Sequence, residues 1–384
     1  MSIRLLSARL ISQFGDLAFN AVLDLWILQL FSSTQILAQS MMIASLANFL
    51  ASLMGGYLAD SSRLFKATVS IQLLSCGLSV LGFFLFSRGH VDLLSINLIL
   101  FSLNLANYTF SPIMKQLIHA GIQKERMPSF NQQNNLFSQI LTVVIPPLAV
   151  SLFSLKSIDL PTVLLLNGCS FLLSLILLLP IRNKIQRKPK KQKNSYREAL
   201  GYLYKNKPLQ CLIVYGFLLS CYAAQLNVFL PNYYVHIKGN ASQYAAILLL
   251  IAIVGIAAAV TYPLFQKGFL QKSSIYIIMI ALIATPIFLV CDWSLYLIII
   301  ISNTLMVHFA IFSQNTIQLT VESKQLGKVF SLLFIALNIA MPVGHFLAGQ
   351  ASRFSLQMMV TCLGFTLLLL LLARLFLDQS IKKD

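Results

Sequence analysis

Long apolar runs separated by short polar turns fill most of this 384-residue chain. Stretches such as Ile275–Cys291, Leu295–Ile301 and Leu363–Leu372 carry few polar positions. They lack the short alternating segments that would mark the strands of a barrel. A backbone crossing lipid must satisfy its own hydrogen bonds, and continuous apolar runs do so as helices. With about 20 apolar residues needed per crossing, the pattern predicts twelve spans. Six lie in the first half, over Ser7–Phe31, Ile36–Ala59, Ala67–Phe86, Leu93–Ile118, Phe130–Leu155 and Leu160–Ile181. Six more follow over Leu209–Val235, Ala241–Phe265, Ser273–Cys291, Trp293–Val321, Leu326–Ala351 and Ser355–Leu377. The fold class expected is therefore all-α and polytopic, with two six-helix bundles.

The break between the halves is the most polar segment of the chain. From Arg182 to Lys207 it holds ten Lys/Arg and one Glu, which no membrane span tolerates. The domain reading that follows is a bundle over residues 1–182, a basic linker over 183–208 and a second bundle over 209–384. Within the linker, Tyr196, Leu200 and Leu203 share one face of a possible surface helix over Ser195–Tyr204. Charge placement supports the count. If both termini and the linker are cytoplasmic, only Arg88, Lys156, Lys238 and Arg353 of the 28 Lys/Arg fall on the opposite side, a strong positive-inside bias.

Composition then removes several classes. Hydrophobic residues make up 58% and charged residues 10% of the chain, and the mean hydropathy is +0.80; a soluble domain carries about 25% charged residues. The net charge of +17 lies between apolar runs and orients spans, so no nucleic-acid partner is expected. The six cysteines stand singly without CxxC or Cys/His spacing, so neither disulfides nor metal ligands are expected. No Walker sequence or HExxH is present, and no cofactor or enzymatic activity is predicted. The first span has no small-residue cleavage site and contains Asp16 and Asp24, so it reads as a retained span.

Polar residues at membrane depth carry the functional signal. On the first span Gln13, Asp16, Asn20 and Asp24 fall within roughly 80° of one another at helical pitch. The fourth repeats the pattern with Asn97, Asn104, Tyr108, Ser111 and Lys115. The seventh shows Tyr215, Tyr222, Gln225, Phe229 and Asn232 on one face, with Pro231 predicting a bend. The tenth carries His308 and Asn315, the eleventh Asn338 and His345. Each admits a plain structural role as well: Asp16, placed near the cytoplasmic end, could pair with a neighbouring helix, and each histidine could be a packing residue. Spans one and four correspond to spans seven and ten, the set expected to line a cavity between two repeats.

The turn after the second span, Gly55-Gly56-Tyr57-Leu58-Ala59-Asp60-Ser61-Ser62-Arg63-Leu64-Phe65-Lys66, resembles the loop signature G-x-L-A-D-R of the major facilitator superfamily. Ser61 stands where that signature has its arginine. The opening Ser12-Gln13-Phe14-Gly15-Asp16 and the later Gly327-Lys328-Val329-Phe330-Ser331 are similar to the macrolide-efflux-like branch. The fifth span carries Val144-Ile145-Pro146-Pro147-Leu148-Ala149 where drug antiporters carry G-P-x-x-G-G.

The resemblance implies a secondary transporter of the major facilitator fold in a bacterial plasma membrane, with Gly56, Asp60, Arg63 and Lys66 as gate residues. Its branch implies efflux and multidrug antiport, and a monomer among membrane lipids is expected. The leading expectation is proton-coupled export of an amphipathic small molecule, with Asp24 and Asp16 carrying protons. The substrate would be bound by Gln13, Asn20, Asn104, Tyr108, Tyr222, Gln225, His308, Asn315, Asn338 and His345. Export of an acidic metabolite such as a siderophore, or a transport-dead scaffold or sensor, stand as alternatives.

Overall fold

The fold is a computed structural model that describes residues 2–59, 64–89, 91–122, 127–184, 201, 203, 204, 206–265, 270–321 and 326–381. Among these residues run twelve long α-helices. They are α1 (Ser2–Phe31), α2 (Thr34–Ala59), α3 (Leu64–Ser87), α4 (Leu93–Gly121), α5 (Met127–Ser154) and α6 (Leu160–Leu178), then α7 (Lys207–Pro231), α8 (Ala241–Phe265), α9 (Leu270–Ile287), α10 (Ser294–Thr320), α11 (Leu326–Ser352) and α12 (Leu356–Ile381). Ten helices among the described residues are long and apolar enough to cross a membrane, and α9 holds a shorter apolar stretch, Ile275–Ile287. Most of the surface helix expected over Ser195–Tyr204 lies outside the described residues; Gly201, Leu203 and Tyr204 are helical.

Local sequence sets several helix ends. Asp92 precedes α4 and accepts from the Ser95 backbone N–H at 3.0 Å and the Ser95 hydroxyl at 2.6 Å. Asp159 precedes α6 and accepts from the Thr162 N–H at 2.9 Å. Both carboxylates satisfy N–H groups that a helix start leaves without partners and face the positive end of its dipole. The hydrogen bond from Ser95 holds the Asp92 carboxyl below its ordinary range, and that from Thr162 does the same for Asp159. After Pro231 the chain widens into a π-type turn over Asn232–Ile237, closed by Lys238 N–H to the Tyr233 carbonyl at 2.9 Å. This change of helix type directly follows Pro231.

The side chains are distributed inside out relative to a water-soluble protein. The buried face of α3 includes Thr68, Gln72, Ser75 and Ser79, and that of α6 includes Asn167, Ser170 and Ser174. Gln72 donates to the Ser174 hydroxyl at 3.0 Å, while Leu73, Leu74, Leu172, Leu173 and Ile176 are exposed. Apolar side chains outside and hydrogen-bonding ones within are what a lipid solvent selects, because helices in lipid gain little from burying leucine.

The described residues fall into two compact units. One is drawn from Met1–Ser32, Ile43–Gln192 and Tyr233–Leu249, the other from Ser33–Met42, Lys193–Asn232 and Leu250–Asp384. In the first, α1 packs on α5 and α6, and α3 packs on α4 and α6. In the second, α7 packs on α11 and α12, and α9 packs on α10 and α12. The second set repeats the first with every helix moved on by six, the mark of an internal structural repeat. Close approach rests on small residues. A Cβ at Gly15 of α1 would run into the Asn167 and Ser170 side chains of α6, and one at Gly344 of α11 would run into the Cys221 carbonyl of α7.

Candidate functional site

The polar stripe on α1 organises the first unit. Gln13 exchanges hydrogen bonds with α5, accepting from the Ser138 hydroxyl at 2.9 Å and donating to the Ser138 carbonyl at 3.5 Å. Asp16 accepts from the Asn107 amide of α4 at 2.6 Å. One turn on, Asn20 donates to the Asp16 carbonyl at 2.8 Å and is exposed. Tyr108 lies within electrostatic reach of Asp16 and is 48% exposed. Because α1 begins at Ser2 rather than Ser7, Asp16 stands midway along it, not near one end. Among the described residues, no lysine, arginine or histidine contacts the Asp16 carboxylate.

Asp24 is half-buried two turns further along α1, where its charge reaches the buried Tyr244 of α8. Asn104 is buried and folds back on its own helix, donating to the Leu100 carbonyl at 2.9 Å. The partner that α4 offers Asp16 is therefore Asn107, which the sequence stripe passed over. Its signal was present, since Asn107 is three residues from Asn104, four from Ser111 and adjacent to Tyr108. Ser138 and Tyr244 were also missed; neither hydroxyl has a spacing that sets it apart from others in apolar runs.

In the second unit the expected residues are packed into helix interfaces. Tyr222 is fully buried and shares a 2.9 Å hydrogen bond with Ser302 of α10. Gln225 is 1% exposed, accepts from Thr366 of α12 at 3.4 Å and donates to the Cys221 sulfur at 3.7 Å. His308 and Asn315 come together through α8: His308 Nε2 lies 3.2 Å from the Ala258 carbonyl, and Tyr262 packs on its ring while hydrogen bonding to Asn315. His345 is buried on α11 and hydrogen bonds to the backbone of Met41 in α2. Asn338 is half-buried on the same helix.

Of the gate residues, Asp60 and Arg63 lie outside the described residues, Gly56 falls in the last turn of α2, and Lys66 is exposed in the first turn of α3. The six cysteines are free. Among the described residues, no three or more of His, Cys, Asp and Glu gather as a metal site would require.

The model of the Major Facilitator Superfamily matches residues 5–345. The chain belongs to that superfamily. It is accordingly a membrane transporter rather than an enzyme, and twelve helices in two related sets of six are its fold. Solved structures agree. A bacterial homologue of the iron transporter ferroportin, in its inward-facing state, is 20% identical with a TM-score of 0.75, covering 99% of this chain and 98% of that one. A bacterial metal transporter is 19% identical with a TM-score of 0.71 over 99% and 98% of the two chains. The nucleoside transporter NupG is 12% identical with a TM-score of 0.73 over 98% of each. At these identities the likeness is one of fold. No curated protein matches the sequence, and the macrolide-efflux-like branch is not singled out by these relatives.

Proposed function

We propose that this major facilitator protein exports an amphipathic small cation in exchange for protons, by alternating access, with proton and substrate competing at Asp16. The observation that carries this reading is the Asp16 carboxylate itself. It stands midway along a 30-residue helix, hydrogen bonded to Asn107, beside an exposed Tyr108, with no cationic partner among the described residues. A carboxylate at membrane depth carries an uncompensated charge unless it takes up a proton or a cation. Two ligands that neutralise one group exclude each other, and that exclusion is the thermodynamic basis of antiport.

Asp24 serves as the second proton carrier, two turns along the same helix beside Tyr244. Gln13, Asn20 and Tyr108 extend the binding surface. Tyr222 and Gln225 hold α7 in place from within the packed interior, and His308, Asn315, Asn338 and His345 are the further polar candidates of the second unit. The basic residues support a cytoplasmic linker over 183–208 between two bundles, with both termini on the same side of a bacterial plasma membrane. Gly56, Asp60, Arg63 and Lys66 act as the gate after α2, and the protein works as a monomer.

The test is proton release from purified protein in weakly buffered detergent solution on adding amphipathic amines. Wild type releases protons, Asp16→Asn releases none, and Asp24→Asn still binds amine but loses transport driven by a proton gradient. Undiminished release from Asp16→Asn would overturn the assignment. A divalent metal cargo is the second reading, favoured by the side-chain oxygens of Asp16, Asn20 and Asn107 and by the iron and metal transporters among the structural relatives.

A further inference from the structure

The hydrogen bonds around Asp16 fix which atoms face an incoming ligand. An ionised carboxylate only accepts, so Asn107 must turn its NH₂ to Asp16 Oδ1, 2.6 Å away. The other end of that amide, Asn107 Oδ1, is left as an acceptor. A backbone carbonyl also only accepts, so Asn20 turns its NH₂ to the Asp16 carbonyl at 2.8 Å and leaves Asn20 Oδ1 as an acceptor. One N–H of each amide is thus used within the protein. Three side-chain oxygens, Asp16 Oδ2, Asn107 Oδ1 and Asn20 Oδ1, remain, only one of which bears charge. Asp16 and Asn107 are half-buried and Asn20 is exposed, so the group is accessible to a ligand.

We infer that this cluster selects cations that carry N–H donors, a protonated primary amine or a guanidinium, over quaternary ammonium ions of the same size and charge. The inference rests on the proposed exchange at Asp16 and adds its chemical class of substrate. An R–NH₃⁺ group offers three N–H bonds to the carboxylate and the amide oxygens of its two hydrogen-bond partners, whereas a trimethylammonium group offers none and leaves those oxygens desolvated and unpartnered. On binding, one proton leaves the Asp16 carboxyl for bulk water as one ammonium takes its place, so charge and protons balance. One carboxylate among neutral amides matches a monocation; a hard divalent ion seeks six or more oxygens and more charge. Asn107 is the specificity-determining residue, because its single side chain both holds the carboxylate and presents the second acceptor.

The probes are 4-phenylbutylamine and its N,N,N-trimethyl derivative, which differ only at nitrogen, with Mn²⁺ as a third ligand. Proton release and thermal stabilisation are read on the full-length protein. Wild type responds to the primary amine at a concentration about ten-fold lower than to the quaternary ion, the worth of one charged hydrogen bond. Asn107→Leu brings the two to parity, and Asn107→Ser serves if the leucine variant does not fold. Equal responses in wild type overturn the selectivity and leave exchange at Asp16 standing. A response to Mn²⁺ with none to the amine overturns it in favour of a metal, and silence from both organic cations overturns the proposed exchange as well.

Discussion

Tyr222 is fully buried, and its hydroxyl shares a 2.9 Å hydrogen bond with Ser302 across α7 and α10. Phenylalanine would keep the ring and remove that bond. Tyr222→Phe is predicted to lower stability by about 1 kcal/mol while leaving amine-linked proton release as in wild type. A thermal melt in detergent beside the release assay checks both; unchanged stability with lost release would put Tyr222 at the substrate instead. Asp16 shows the opposite balance, with a carboxylate where packing alone would select an apolar residue. The helical pitch of Gln13, Asp16, Asn20 and Asp24 made this stripe readable in the sequence, because three- and four-residue steps define a face whatever the neighbours are. Partners were not readable in the same way. Asn104 and Asn107 lie on nearby faces of α4, and only the packing of α1 decides which amide meets the carboxylate.

At the scale of elements, small residues and caps fix where helices touch and begin. An alanine methyl at Gly344 would press on the Cys221 carbonyl of α7, and backbone yields less readily than a side chain. Gly344→Ala is predicted to cost about 1–3 kcal/mol, measured as a lower midpoint of thermal unfolding; no loss would mean that α7 and α11 separate freely there.

Asp159 caps α6, and Asp159→Ala should cost about 1 kcal/mol at neutral pH. The hydrogen bond from Thr162 lowers the Asp159 pKa, so its contribution is present above the ordinary carboxylate pKa of about 3.9. It fades as pH falls through the lower folded value. Wild type and variant should therefore converge in acid, and a gap that persists there would exclude the cap. Helix existence was legible from apolar run length alone. The ends were less so: α1 begins five residues earlier than hydropathy suggests, because Arg4 and other polar residues can extend a helix beyond its apolar stretch.

For the whole molecule, the twelve-helix count followed from two independent regularities, apolar runs and the side on which basic residues fall. The repeat is visible in packing, since α7 pairs with α11 and α12 as α1 pairs with α5 and α6. Cargo was not legible in this way. The same fold serves a ferroportin homologue and a nucleoside transporter, and the choice lies in a few side chains rather than in the architecture.

The most direct test of exchange at Asp16 is gradient-driven transport in proteoliposomes. Vesicles with an acidic interior are given radiolabelled 4-phenylbutylamine outside, and accumulation is compared with protein-free vesicles that correct for passive trapping. Wild type should accumulate amine above that baseline only while the proton gradient lasts, and Asp16→Asn should not exceed the baseline. Accumulation by wild type that ignores the gradient, or full gradient-driven accumulation by Asp16→Asn, would contradict proton–substrate exchange at this carboxylate.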